Sequence, residues 1–373
     1  MNESKEISVL KSKVENRLQR IANVLLLNAS FIDNLGLLNG KMGIAIFFYQ
    51  YSRYTGSKIF GDYAGELIDE IYEEININTP VDFANGLTGI GWGIEYLVKS
   101  KFLEADTDEA LSEIDNTVYR HRLQNPILLG NSNDMFGYGF YYLARIMGHE
   151  KGDDNLNTLI KKYHLIFLTD ECERILLQKL YTRYNIESLS TGTINSFIWF
   201  LLEMHRLKIF PVKVEKVLKC VPEFIEKGLQ DFDDIAGQLL LLNLTEKTVQ
   251  VVTDKSLRNL LRDLLKKKNG EILVGDSSDE TAVDNFIKNT WQQLVYQPYF
   301  TYGKEVFLQI GKIFSIVDDE KNWNNRLDNL TRDNIGLTGF TGLGLGLLFY
   351  RMNEELRTTK SEIRTENIKE HIG

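Results

Sequence analysis

The sequence predicts an all-α protein: an α/α toroid, in which about seven helix hairpins close into a ring. Three observations predict it. Only five prolines occur in 373 residues, at Pro80, Pro126, Pro211, Pro222 and Pro298, so few positions forbid a continuing helix. Long stretches keep a 3.6-residue apolar period. Glycine-headed apolar segments recur about every fifty residues, the mark of a repeat architecture.

In chain order, Ile7, Leu10, Val14, Leu18, Ile21, Val24 and Leu25 lie on one stripe. They predict a helix within residues 1–30 that packs on the ring. Segments 64–77 and 156–168 keep the same period. Asn39-Gly40 and Asn85-Gly86 look like hairpin turns, but a helical pattern follows each, so helix is expected there. The recurring segments read GLLNGKMGIAIFFY (36–49), GLTGIGWGIEYL (86–97), GYGFYYL (137–143), STGTINSFIWFL (190–201), AGQLLLL (236–242) and GLTGFTGLGLGLLF (336–349). Taking head glycines at 40, 89, 137, 192, 237 and 339, the spacings are 49, 48, 55, 45 and 102 residues. The last is twice 51, which places a degenerate seventh unit near 285–298. Glycine inside a helix costs about 1 kcal/mol relative to alanine, so its recurrence needs a reason. Gly89 with Gly93, and Gly342 with Gly346, stand four apart on one helix face, where small residues let helices converge. An open solenoid has no such need. Residues 1–352 therefore read as one toroid domain, with a charged tail over 353–373.

Composition narrows the function. The chain has 52 acidic and 43 basic residues, a formal charge of −9, which argues against nucleic acid or an anionic membrane as the main partner. Residues 1–20 alternate charged and apolar positions, unlike a signal peptide. No apolar run approaches the length of a membrane span. The expectation is a cytoplasmic protein. Cys172 and Cys220 form no disulfide framework and no CxxC pair.

The recurrent GLxGxxG-type starts, best seen at Gly86-Leu87-Thr88-Gly89 and at Gly336 to Gly342, resemble the lanthionine synthetase C-like family, the cyclases of lanthipeptide biosynthesis and their relatives. The resemblance runs from about Gly36 to Tyr350. It implies an α/α toroid whose inner-helix loops surround a central cavity, and a role in maturing a ribosomally made peptide. The implied partners are a precursor peptide, dehydrated or not, and a dehydratase. Active members of that family hold zinc through two cysteines and a histidine, and the metal turns a substrate thiol into thiolate for addition to a dehydroamino acid. This chain departs from that pattern. Asn39, Thr88, Phe136, Thr191, Ala236 and Thr338 precede its repeat glycines, and none of His121, His149, His164, His205 and His371 is followed by glycine. No metal site and no cofactor are therefore expected. Asp82, in Asp82-Phe83-Ala84-Asn85-Gly86, matches the form of the family's aspartate motif and is the one catalytic candidate; the competing reading is a loop acid before a helix.

With Asp82, the residues expected to line the cavity are Asn39, Asn85, Thr88, Trp92, Tyr138, Thr191, Asp234 and Thr338. Core packing accounts for the aromatics equally well. His149 and His205 end predicted helices, where the dipole favours them. Cys172, flanked by acids, and Cys220, on an apolar-periodic helix, read as inert. Two acidic groups, Asp231, Asp233 and Asp234 in one loop and Asp276, Asp279, Glu280 and Asp284 in another, admit general acid/base work on sugars. Solvated loop acids are the plainer alternative. Three readings stay open: zinc-independent thioether cyclisation or binding of a dehydrated peptide, a non-catalytic peptide-binding toroid, and a carbohydrate-active enzyme on the same ring.

Overall fold

A computed structural model describes residues 3–124, 132–148, 156–181, 190–228, 235–268, 279–296 and 318–352. Every regular element among them is helical, as expected. In order these are α1 (Glu3–Asn28), a 3-10 turn (Ala29–Phe31), α2 (Lys41–Thr55), α3 (Lys58–Glu74), α4 (Leu87–Lys99), α5 (Thr107–Ala110), α6 (Ser112–Gln124), α7 (Ser132–Gly148) and α8 (Leu156–Tyr181). Then come α9 (Thr191–Arg206), α10 (Pro211–Leu218), α11 (Val221–Gly228), α12 (Ile235–Val251), α13 (Lys255–Lys268), α14 (Asp279–Val295), α15 (Glu320–Asp328) and α16 (340–352). No described helix is long and apolar enough to cross a membrane.

The glycine-headed segments form α2, α4, α7, α9, α12 and α16, and α14 occupies the place expected for the degenerate unit. A helix that is apolar on all sides must be covered on all sides. In α2 every residue from Lys41 to Tyr51 is buried, and in α4 every residue from Leu87 to Glu95. The helix between them, α3, is amphipathic and buries only Ala64, Leu67, Ile68 and Ile71.

Packing divides the chain into two compact units. One comprises Met1–Ile75, Ala282–Thr290 and Lys304–Gly373; the other comprises Asn76–Thr281 and Trp291–Gly303. In the first unit, α2 turns into α3 through Gly56, whose φ of 70° is the left-handed conformation glycine adopts without strain. Phe48 then meets Phe60 and Tyr63, and Tyr51 meets Phe60, at centroid distances of 6.1, 5.0 and 4.7 Å. Helix α16 has no side chain at Gly344 and Gly346. A Cβ at Gly344 would fall within 3 Å of Ile21 and Phe47, and one at Gly346 within 3 Å of Phe286 and Thr290. Helix α16 thus packs on α1, α2 and the first part of α14. Arg17 and Arg20 also lie over the Trp323 ring, 4.8 and 5.1 Å from its centroid, and Arg17 pairs with Glu320 at 2.8 Å.

In the second unit the buried helices contact one another in chain order. A Cβ at Gly91 would strike the Tyr141 ring, which brings α4 onto α7. Gly139 faces Phe200 in the same way, joining α7 to α9. Asn195, fully buried, donates its amide to the Gly237 carbonyl at 2.8 Å and joins α9 to α12. Phe140, Trp199 and Tyr296 form an aromatic cluster, with Phe140–Trp199 centroids 4.6 Å apart.

Candidate functional site

The loops ahead of α2, α4 and α16 share one construction. Lys41 N donates to Asn34 O at 2.8 Å and Met42 N to Leu35 O at 3.3 Å. Leu87 N donates to Pro80 O at 2.8 Å and Thr88 N to Val81 O at 3.4 Å. Phe340 N donates to Asn334 O at 2.8 Å and Thr341 N to Ile335 O at 3.0 Å. In each case two N–H groups at the helix start, which have no partner inside the helix, are satisfied by the chain's own preceding loop.

Gly40 and Gly86 cap their helices with nearly the same backbone, φ −138°, ψ −165° and φ −134°, ψ −162°. That extended conformation is open to any residue, so the demand for glycine comes from crowding. A Cβ at Gly40, Gly86 or Gly339 would overlap the carbonyl of Asn34, Pro80 or Asn334, far inside 3 Å. This corrects the alignment read from sequence. The counterpart of Gly40 is Gly86 rather than Gly89; Gly137 stands in the second turn of α7 rather than at its head; Gly192 and Gly237 are the second and third residues of α9 and α12.

Asp82 belongs to the loop before α4. Its Oδ1 accepts from the Asn85 backbone N–H at 2.8 Å and lies 3.4 Å from the Asn85 side-chain amide, so the loop turns around this carboxylate. Thr88 is 1% exposed and donates its hydroxyl to Val81 O at 2.8 Å. Asp82, Asn85 and Thr88 are therefore brought together, with Asp82 and Asn85 half-buried at the surface of the loop and Thr88 beneath. Trp92 is buried, stacked on Tyr96 at 5.6 Å and edge-on to Phe83 at 6.0 Å. Tyr138 is buried with its hydroxyl 2.7 Å from His121 Nδ1, and Thr191 is buried beside the Ser190 cap of α9. In the first unit, Thr338 is exposed; it donates its hydroxyl to Asn39 Oδ1 at 2.6 Å and its N–H to Leu38 O at 3.2 Å, joining the first and last head loops. Asp234, Asp231, Asp233, Asp276, His149, His371 and the tail lie outside the described residues.

Neither cysteine is suited to holding zinc. Cys172 is buried in α8, and burial together with Glu171 pushes its thiol far up. Cys220 lies in the turn between α10 and α11 rather than on a helix as expected, and burial, with Glu173 and Glu223, raises its thiol too. Zinc needs accessible thiolate or imidazole converging on one point. No group of three histidine, cysteine or acidic side chains among the described residues converges in this way.

A second assembly escaped the sequence analysis. In the second unit α5, α6, α7 and α8 enclose a cavity of about 310 Å³, lined by residues that include Asp108, Asp115, Tyr119, Tyr142, Lys161 and His164. Behind it stands Arg145, 0% exposed. It pairs with Glu95, with Asp108 at 2.8 Å, with Asp115 at 2.8 Å, and donates to Thr107 at 3.1 Å. Burial disfavours that guanidinium, but Asp115 and Glu95 outweigh it and hold the charge firmly on. Tyr141 donates to Asp115 at 2.6 Å, and Lys161 reaches Asp108 and Asp115 at 3.3 and 3.4 Å. His164 is 5% exposed, and burial and then Arg122 lower its pKa, so the ring is neutral at pH 7. It stacks on Tyr142 and meets Tyr119 edge-on, both at 5.1 Å. The readable signal was Glu95 and Arg145, charges inside the apolar runs GIEYL and YYLARIM. Their acidic partners lie in what reads as an ordinary helix-capping stretch. Neither a family model nor a curated protein matches this chain.

Proposed function

We propose that this chain is a zinc-independent, lanthionine synthetase C-like α/α toroid that receives a ribosomally made, dehydrated peptide and acts in its maturation. One observation supports it above the others: the first and last head loops are hydrogen-bonded through Asn39 and Thr338. An open array of repeats keeps its ends apart and exposed, whereas a ring must join them. The threefold recurrence of one head loop agrees with a chain built from equivalent repeats.

In this reading Asp82 and Asn85 of the second unit face the peptide, while Thr88, Trp92, Tyr138 and Thr191 support that unit's loops from beneath. The substrate thiol gives its proton to the Asp82 carboxylate, and sulfur attacks the β-carbon of a dehydroalanine or dehydrobutyrine. A C–S bond forms as the C=C π pair moves onto the α-carbon as an enolate, which takes the proton back. Positioning supplies several kcal/mol of such a barrier, and a placed acid/base about 10²–10⁴-fold in rate. The Asp82–Asn85 turn equally suits a loop built only to bind, and so favours the peptide-binding scaffold as second reading.

The test offers the purified protein a dehydrated, cysteine-containing precursor encoded beside its gene, together with the undehydrated form. Binding is followed by anisotropy and ring closure by loss of alkylatable thiol, with and without chelator. Chelator-resistant closure is the expected result. Saturable binding without closure assigns the scaffold role, and absence of both refutes the peptide reading.

A further inference from the structure

We propose that the cavity between α5, α6, α7 and α8 is a binding site for an alkylammonium group, separate from any peptide site at the head loops. Its wall carries two carboxylates, Asp108 and Asp115, against one ammonium, Lys161. Behind the wall Arg145 pairs with Glu95 and with both wall carboxylates, so three carboxylates share two cations. Another cation, Arg122, does not line the cavity; its guanidinium sits 4.7 Å from the centre of the Phe167 ring. The cluster is thus one negative charge in excess, which favours a cation over an anion.

The second observation is independent of charge. His164 and Tyr142 line the cavity, and their Nε2 and hydroxyl oxygen are buried with no hydrogen-bond partner among the described residues. His164 is 5% exposed and Tyr142 3% exposed. Buried polar atoms without partners are costly, and in a cavity they mark where a ligand's hydrogens belong. A neutral imidazole offers a lone pair and a phenol oxygen accepts, so both suit an N–H donor. Tyr119, at the cavity wall and 39% exposed, supplies an electron-rich ring that attracts a cation, whereas one face of Tyr142 is covered by the stacked His164 ring. Tyr119 and Ile160, 39% and 38% exposed, give the mouth an apolar side beside the exposed Ser112, Asn116 and Asn157. An ammonium on an aliphatic stem fits this order, with the charged head inward and the methylenes at the mouth. Two sources carry that group, a free aliphatic amine and a lysine side chain.

The test titrates the full-length protein by calorimetry at low ionic strength with n-butylammonium, Nα-acetyl-lysinamide, n-butanol and butyrate. At least one ammonium is expected to bind saturably, the alcohol at least tenfold more weakly, and butyrate not at all. Which ammonium binds better identifies the source. Tyr142→Phe keeps the ring and removes one acceptor, and should weaken binding about fivefold. Asp108→Asn should weaken it more than tenfold, since the charge-assisted partner is lost. Circular dichroism confirms that each variant is folded, and Tyr142→Phe, an isosteric change, keeps the test valid should Asp108→Asn unfold. Failure of both ammonium compounds at millimolar concentration, equal binding of the alcohol, or wild-type affinity in folded Tyr142→Phe overturns the assignment.

Discussion

Replacing Gly86 by alanine tests the head-loop construction directly. On backbone grounds alone the change is harmless: φ −134° and ψ −162° suit alanine, and removing a glycine stabilises a compatible site by about 0.4–1 kcal/mol through the unfolded chain. The tertiary contact reverses the sign. The new methyl overlaps the Pro80 carbonyl carbon and oxygen, with Asp82 O at 3.0 Å, and all three are backbone atoms that cannot rotate away. Relief requires the loop to lift off the helix. That breaks Leu87 N to Pro80 O, Thr88 N to Val81 O, and the Thr88 hydroxyl bond to Val81 O. Three hydrogen bonds at about 1 kcal/mol each, less the backbone gain, give a loss of about 2–3 kcal/mol. Gly65→Ala in α3 is the control. There the new Cβ finds only Tyr49 OH at 3.7 Å, an ordinary contact, so a gain of about 0.5–1 kcal/mol is expected. Urea denaturation followed by circular dichroism measures both, and amide exchange at Leu87 and Thr88 reports the loop itself. A neutral or stabilising Gly86→Ala, or unchanged protection of those two amides, refutes the reasoning.

Four further outcomes follow from the geometry. Arg145→Met leaves Glu95, Asp108 and Asp115 without their shared cation; removal of one member of a buried ionic cluster costs about 3–5 kcal/mol. The lower end is expected in a urea melt, because Asp108 and Asp115 remain partly exposed. The folded-state pKa of His164 lies below the unfolded value of about 6.5, so the unfolded chain binds more protons in that range. Its contribution to stability is therefore complete above pH 6.5 and lost as pH falls below it. Melting temperatures across pH 5–7.5 should show that slope, and His164→Phe should flatten it, with Arg122, Asp115 and Lys161 still in place. Asp82→Asn keeps the Oδ1 acceptor for the Asn85 N–H and should leave the melting temperature unchanged while cutting any cyclisation rate at least tenfold. Asp82→Ala loses the turn as well and should cost about 1 kcal/mol, and equal activity in the two folded variants would reduce Asp82 to a structural acid. Cys172, buried with its thiol pushed up, should resist alkylation in the native protein and react only on unfolding, as mass spectrometry of labelled peptides will show.

The sequence alone determined the helical class, the succession of apolar helices, and the amphipathic character of α1 and α3. These are properties of local period and breaker content, written in consecutive residues. It also pointed to the loop holding Asp82, Asn85 and Thr88, because the glycine and its cap are close neighbours in the chain. Only the tertiary structure decided which glycine does which work. Gly86 yields to a carbonyl six residues back, whereas Gly91 yields to Tyr141 fifty residues on, and both look alike as letters. The same holds for the cavity of the second unit. Glu95, Asp108, Asp115, Arg145, Lys161 and His164 come from five helices, and each alone passes for a surface charge or a cap. What joins them is the cost of leaving a buried charge unpaired, a force set by distance in space rather than by position along the chain.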